Sequence, residues 1–340
     1  MSNKITLKSI AKELNLSVAT VSKALKDYKD ISEDTKQKVL DYAAKFKYKP
    51  NSFAQSLRSN ESRIIGLIIP EIVHHFFSNI INGVIITARK KGYFVLVMPS
   101  EESYEDEVNQ IKLLTGKNVD GILVSLSNDT INYSHIKQVI NSGVPVVLYD
   151  RISKLISASK VQIDDIQAAI KATEHLINIG CQKIAHIRGP LKPQTTIDRA
   201  KGYRQALQDN NMTFDKSLVY NAENMSYENG YNLAELILKE HPDVDGIFCF
   251  TDLVAMGALK KLNELGVRVP EQISIVGFSN WFITQTSSPT LTTINQPGFL
   301  IGQEACNILI EEIHAKRDNK PFEHKTIKIP TELVIRESTK

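Results

Sequence analysis

The sequence predicts two architectures in one chain: an all-α head of helix-turn-helix type, then an α/β body of doubly wound parallel sheets in two lobes. Three observations carry that prediction. The first sixty residues show short apolar stripes at helical spacing, punctuated by Ser, Thr and Asn. From residue 62 onward, β-branched apolar runs alternate with amphipathic stretches, the pattern of repeated βα units covered on both faces. The charge divides at the same place. Residues 1–63 carry thirteen Lys/Arg against seven Asp/Glu, a net +6, while the remainder is −3 in a chain whose total is +3.

A length of 340 residues suits two or three domains, and 42% hydrophobic with 23% charged residues excludes disordered, collagen-like and coiled-coil classes. The cysteines Cys181, Cys249 and Cys306 are far apart with no C-x-x-C, which argues against a disulfide framework or a structural zinc site. The N-terminus has no apolar core of a signal peptide, and no run of about 18 apolar residues occurs, so neither secretion nor a membrane span is expected. The expected setting is the cytoplasm. A basic head on a faintly acidic body points to a polyanion-binding module, although a solvated helical surface explains the charge equally well.

In the head, Thr6 can N-cap a helix whose inward face is Leu7, Ile10, Ala11 and Leu14. Asn15-Leu16 interrupts it, and Ser17 can cap a second helix that packs through Val18, Val21, Ala24 and Leu25. A third starts near Ser32, with Glu33 and Asp34 where the helix dipole favours negative charge, and an apolar face of Val39, Leu40, Ala43 and Phe46. Two helices across so tight a turn, closed by a third, form a helix-turn-helix, whose second helix enters the major groove. Its outward positions are Ser17, Ala19, Thr20, Ser22, Lys23 and Lys26, short enough to approach base edges or basic enough to reach phosphate. Spacing alone also fits a plain three-helix bundle. Pro50 ends the third helix, and Asn51 can cap a short segment, 52–58, too brief to be stable alone. That segment reads as a switch that folds on DNA or as a frayed linker.

The body's apolar runs are 64–69, 93–98, 121–126, 145–149, 183–187, 246–250 and 273–278, with amphipathic stretches such as 80–91 and 168–179 between them. Most end in small or polar residues: Pro99-Ser100, Ser125, Asp150-Arg151, Gly189-Pro190, Thr251-Asp252 and Ser279-Asn280. In open α/β sheets ligands bind at the carboxyl ends of the strands, so these residues are the first candidates for a cleft between lobes. Each also has a plainer reading; Asp252, for instance, suits a helix cap as well as a ligand contact.

The run from Thr6 to Ser59 resembles the head of the LacI/GalR family of bacterial transcription regulators, whose helix-turn-helix is followed by an N-x-x-A-x-x-L hinge helix, here Asn51, Ala54 and Leu57. The likeness continues through Ile65-Gly66-Leu67, Val119-Asp120-Gly121-Ile122, Arg199 with Gly202-Tyr203, Thr251-Asp252 with Ala255-Met256-Gly257, and Leu291-Thr292-Thr293-Ile294. What the resemblance implies is a repressor that reads a palindromic operator as a homodimer, under allosteric control by a small molecule, a sugar or sugar derivative. It implies major-groove reading by Val18, Ala19, Thr20 and Ser22, with Thr6, Ser17, Lys23 and Lys26 in the DNA-facing set. In the hinge, Asn51, Ala54 and Gln55 accompany Leu57, which is the minor-groove wedge. Lys23 stands where the family usually has arginine and offers a point charge in place of a planar fork; Gln55 likewise replaces an arginine.

The same resemblance implies a body similar to periplasmic binding proteins, with domains at 1–50 (helix-turn-helix), 51–61 (hinge helix and linker) and 62–340. Within the last, one lobe takes residues 62–163 and 294–322, the other 164–291 and 323–340. By position, Phe76 and Phe77 become the aromatic floor of an effector pocket, with Asp150, Thr195, Arg199, Thr251 and Gln296 as polar ligands. That set suits a polyhydroxylated molecule, aromatic rings on its C–H face and charged or amide groups on its hydroxyls. On the residues alone, Phe76-Phe77 also suits core packing and Arg199 a helix surface. Where the family often has an acidic pair, this chain has Ser279 and Asn280, then Trp281. Losing the carboxylate admits an acidic or phosphorylated ligand, and Trp281 offers a ring to stack on one.

An enzyme or a solute-binding protein with a nucleic-acid-binding head is the competing reading. No Walker A, H-E-x-x-H or G-x-G-x-x-G motif occurs, and Gly277-Phe278-Ser279-Asn280-Trp281 lacks the closing glycine of a nucleophile elbow. His74 and His75 have no acid or cysteine at metal-ligand spacing. No catalysis, cofactor or metal is expected.

Overall fold

A computed structural model of the chain describes residues 5–46, 48, 61–72 and 75–340. The hinge positions Asn51, Ala54, Gln55 and Leu57, and His74, lie outside the described residues. The chain divides into two compact units that meet between Ser62 and Arg63.

The first unit holds three helices, α1 (Leu7–Glu13), α2 (Val18–Ala24) and α3 (Glu33–Lys45). Each starts on a hydroxyl. Thr6 Oγ1 accepts from the Ser9 N–H at 3.2 Å while the Thr6 N–H donates to Ser9 Oγ at 2.8 Å, a reciprocal capping box. Ser17 Oγ accepts from the Thr20 N–H at 2.9 Å, and Ser32 Oγ from the Thr35 N–H at 3.4 Å. Asn15 turns the chain between α1 and α2 at φ 52°, a left-handed conformation that asparagine tolerates. Ile10, Ala11, Val21, Ala24 and Val39 form the buried centre. One expectation fails: Leu40 and Phe46 are 46% and 43% exposed. The inward stripe of α3 is Lys36, Val39 and Ala43, one position round. Lys36 lays its stem inward and pairs its ammonium with Asp27 (2.7 Å) and Glu33 (2.8 Å), so the face tolerates a lysine.

The second unit contains two six-stranded sheets. The first joins β1 (Ile64–Ile69), β2 (Phe94–Pro99), β3 (Gly121–Val124), β4 (Val146–Tyr149), β5 (Ser159–Ile163) and β11 (Thr326–Ile329) in the order β2-β1-β3-β4-β5-β11, all parallel. The second joins β6 (Ile184–Arg188), β7 (Val219–Asn221), β8 (Gly246–Cys249), β9 (Ser274–Ser279), β10 (Thr292–Asn295) and β12 (Glu332–Val334) in the order β7-β6-β8-β9-β10-β12. Only β12 runs antiparallel, against β10. Successive side chains of β1 feed opposite clusters: Ile65, Leu67 and Ile69 join one that runs through both lobes, while Ile64 and Ile68 join a second within the first lobe.

The chain crosses between lobes three times, and two crossings differ from expectation. β10 still belongs to the second sheet, so the return to the first lobe comes after Asn295, not at 294. β11 pairs in register with β5 (Thr326 opposite Lys160), so the last crossing lies between Ile329 and Glu332, not at 322–323. The sequence likeness drew those bounds through an extended segment whose partner it did not specify.

Close helix contacts seal each lobe. A methyl group on Gly302 would sit 2.2 Å from the Ile80 carbonyl, and one on Gly257 2.0 Å from that of Tyr227, so both positions require glycine for backbone to approach backbone.

Candidate functional site

In both sheets the order reverses beside the first strand of its lobe, and ligands of open α/β sheets bind outside the carboxyl ends of strands at such points. A cavity lies there between the lobes. The first lobe contributes Phe76, Phe77, Asn128, Asp150 and Arg151; the second contributes Pro190, Pro193, Thr195, Thr196, Arg199, Met225, Phe250, Thr251 and Ser279; Gln296 comes from the second crossing.

Eight of the ten expected effector residues meet on this wall: Phe76, Phe77, Asp150, Thr195, Arg199, Thr251, Ser279 and Gln296. Asn280 and Trp281 do not. The Asn280 amide donates to Asn295 Oδ1 (3.1 Å) and accepts from Arg336 Nη2 (2.7 Å). The Trp281 backbone N–H donates to Asp252 Oδ2 (2.7 Å), and the indole is not among the groups that line the cavity. Asp252 does not cap its helix either. Thr251 is the N-cap, and the Asp252 carboxylate instead takes the Thr293 hydroxyl at 2.5 Å.

Phe76 and Phe77 are at once core and wall, buried in the shared cluster with ring centroids 5.4 Å apart. Asp150 follows β4 at φ 55°, in the left-handed region that aspartate, like asparagine, can adopt. It is buried, and Gln296 Nε2 donates to it at 3.3 Å. Gln296 also accepts from Ser279 Oγ at 3.3 Å, so the crossing segment bonds to a residue of each lobe. Burial raises the Asp150 pKa, with the Arg151 and Arg199 guanidiniums pulling it back.

Both cavity arginines are buried and already matched to acids. Arg151 Nη1 donates to both oxygens of Glu102, at 2.8 and 2.6 Å. Arg199 Nε donates to Asp165 at 2.8 Å and Nη1 to the Phe250 carbonyl at 2.7 Å, with the guanidinium 3.6 Å from the centre of the Phe278 ring. Burial pushes Asp165 up to about 7 against the opposing pull of Arg199. Three carboxyl groups therefore face two guanidiniums. Even with Asp165 protonated no positive charge is left over, which favours a neutral ligand over a phosphorylated one.

Of the wall residues outside the expected set, Arg151 and Pro190 carried the strand-end signal. Phe250 closes the apolar run 246–250 and so lay beside that signal, whereas Asn128, Pro193, Thr196 and Met225 had none, since each reaches the cavity from a loop or helix whose path the local pattern does not encode. Asn128 is placed by its N–H donating to Glu102 Oε2 at 2.9 Å, so one glutamate positions both an arginine and a loop. Pro99-Ser100 and Ser125, also at strand ends, stay off the wall; Ser100 and Ser127 share a hydrogen bond at 2.9 Å.

On the head, Ser17, Ala19, Lys23 and Lys26 of the expected DNA face are exposed, as is Thr6, while Val18, Thr20 and Ser22 are half-buried. Ser17 and Thr20 share their hydroxyls at 2.8 Å, and Lys23 pairs with Asp30. No group of residues that could hold a metal ion occurs among the described residues, and no described helix is long and apolar enough to cross a membrane.

The family model of bacterial regulatory proteins, lacI family, matches residues 6–51, and the model of periplasmic binding proteins and sugar binding domain of LacI family matches residues 62–337. The ribose operon repressor of Halalkalibacterium halodurans is 33% identical over 340 residues, covering 98% of this chain and 97% of that one. A solved complex of the transcriptional regulator CelR with cellobiose superposes with a TM-score of 0.75 at 28% identity, covering 98% and 99% of the two chains. The Lac repressor dimer bound to operator and the anti-inducer ONPF has a TM-score of 0.87 at 24% identity, covering 99% of each.

Proposed function

Because this chain belongs to the lacI family of bacterial regulatory proteins, we propose that its DNA affinity is set by a small, neutral, polyhydroxylated effector held between the lobes of the body. The protein is a DNA-binding transcription repressor, not an enzyme. It acts in the cytoplasm as a homodimer, whose two-fold axis places two α2 helices on the half-sites of a palindromic operator. In the head, Thr6, Ser17, Val18, Ala19, Thr20, Ser22, Lys23 and Lys26 meet the DNA. Asn51, Ala54 and Gln55 belong to the hinge, and Leu57 wedges the minor groove.

The observation that carries the effector class is the charge balance of the wall and of the acids paired to it: Asp150 on the wall, with Glu102 and Asp165 behind it, against Arg151 and Arg199. Asp150 and Gln296 supply an acceptor and an amide for adjacent hydroxyls, and Phe76 and Phe77 a flat apolar surface. A relative named for the ribose operon and a structural neighbour holding cellobiose support a neutral sugar. Ligand that prefers one angle between the lobes shifts the populations, and a coupling of about 1–3 kcal/mol changes operator affinity roughly 5- to 150-fold.

Thermal melts with D-ribose, cellobiose and ribose 5-phosphate test this. A neutral sugar should raise the melting point, since saturation to a hundred times Kd adds about 2.7 kcal/mol. A shift from the phosphate ester alone overturns the reading.

A further inference from the structure

Just outside the cavity wall, an aromatic cluster spans the two lobes. His75 opens the helix His75–Lys90, whose next two residues line the cavity; Trp281 stands two residues beyond Ser279, which lines it from the other lobe. The two rings stack, with centroids 6.0 Å apart and planes 11° from parallel. Phe282 meets His75 edge-on at 6.1 Å and Trp281 at 6.0 Å.

Both sides of the stack are braced. His75 Nε2 lies 3.0 Å from the Asn79 amide nitrogen, one turn along its helix. Trp281 is anchored by its backbone N–H to Asp252, which is itself fixed by Thr293. Its neighbour Asn280 is held by Arg336, whose Nη1 also donates to the Leu291 carbonyl at 2.8 Å. The His75 ring is held on the first lobe by Asn79, and the main chain that carries Trp281 is held on the second by Asp252, so a change of lobe angle moves the two rings apart as their lobes move. The stack either holds or breaks.

We propose that His75 and Trp281 form a latch between the lobes, closed when the lobes are drawn together and broken when they part. The latch gives Trp281 a role outside the ligand wall, and it rests on the reading that a small molecule occupies the cleft. An aromatic pair of this kind shifts an equilibrium by about two- to tenfold, so the latch tunes how readily the cleft closes without touching the ligand.

The test uses the full chain with His75→Ala and the ring-preserving His75→Phe. Without any ligand, hydrogen exchange in segments 125–130 and 189–196, on the far wall of the cavity, should speed up at least threefold in His75→Ala and return in His75→Phe. Change confined to 75–82 and 279–286, or no change, overturns the latch, because a merely local packing contact would do that. With D-ribose as probe, calorimetry should show affinity falling about two- to tenfold in His75→Ala and recovering in His75→Phe; unchanged affinity in His75→Ala counts against the latch as well. Trp281 is the only tryptophan, so its emission follows the same titration. Should D-ribose fail to bind wild type, the choice of sugar is wrong while the exchange experiment still decides the latch.

Discussion

The head and the body are stabilised on different terms. Among the described residues the head closes on six buried apolar side chains, Ile10, Ala11, Val21, Ala24, Val39 and Ala43, and starts each helix on a hydroxyl cap. The body has three large clusters, one running through both lobes, and spends part of its interior on buried ionic groups around the cavity. A small core loses a large share of its stability with any one side chain, whereas a large one absorbs the loss.

The largest effect should come from the body's ionic interior. Arg199→Ala strands Asp165 and removes the donor to the Phe250 carbonyl, so it should cost about 3–5 kcal/mol and abolish the sugar response. Denaturation followed by circular dichroism would show a bigger deficit at pH 8 than at pH 6. At the lower pH the abandoned Asp165, already pushed up to about 7 by burial, takes a proton and becomes neutral. An equal deficit at both values would mean that the pair is not ionic.

Next in size is the head's own core. Ile10→Ala deletes a fully buried side chain from the smallest cluster and should cost about 2–5 kcal/mol. Operator binding should be lost in a gel shift while D-ribose still raises the melting point of the body. If DNA binding survives, the head is not as marginal as its small core indicates.

The same contrast decides what the sequence could disclose. In the head, caps and stripes are local, so Thr6, Ser17 and Ser32 could be read directly, and only the rotation of α3 went astray because Lys36 buries its stem where an apolar residue was expected. In the body, long apolar runs announced seven strands, but β5, β7, β10, β11 and β12 are short and mixed, and their identity lies in which neighbour they pair with. The cavity followed the same rule. Strand-end residues such as Asp150 and Ser279 were visible in the chain, whereas Met225 and Thr196 arrive by tertiary path alone. Trp281 was read as a ring for a ligand to stack on, after Ser279 and Asn280 at the position of the family's acidic pair, yet its ring stacks on His75 and does not line the wall.

Acid should separate the two units in a third way. Burial pushes Asp252 up to about 6 from 3.8, so the folded body keeps a proton that the unfolded chain has released. Its contribution is complete below the unfolded value and disappears as pH rises through 6. In the head, hydrogen bonding from Lys23 lowers Asp30, so that contribution is present at neutral pH and lost as pH falls past the usual carboxylate range. Subtracting the melts of Asp252→Asn from wild type between pH 4.5 and 8 isolates the body's share. The difference should change by about 2 kcal/mol in favour of wild type on the acid side; a flat difference would falsify the assignment of that proton.

The smallest effect is also the one that tells folding from reading at a single residue. Ser17 caps α2 through the Thr20 N–H and lies on the face proposed to meet DNA. Ser17→Ala removes the cap and should cost about 1 kcal/mol. Ser17→Asp replaces it with an equally good acceptor, and its negative charge suits a helix N-terminus, so the thermal stability of the head should return to that of wild type. Near a phosphate backbone the same charge is repelled. The two variants should therefore change places between assays: Ala lower than Asp in stability, Asp lower than Ala in operator affinity, with the gap narrowing as salt is raised. If both variants keep the same order in both assays, Ser17 serves only the fold, and the DNA-facing surface of α2 begins further along the helix, at Ala19.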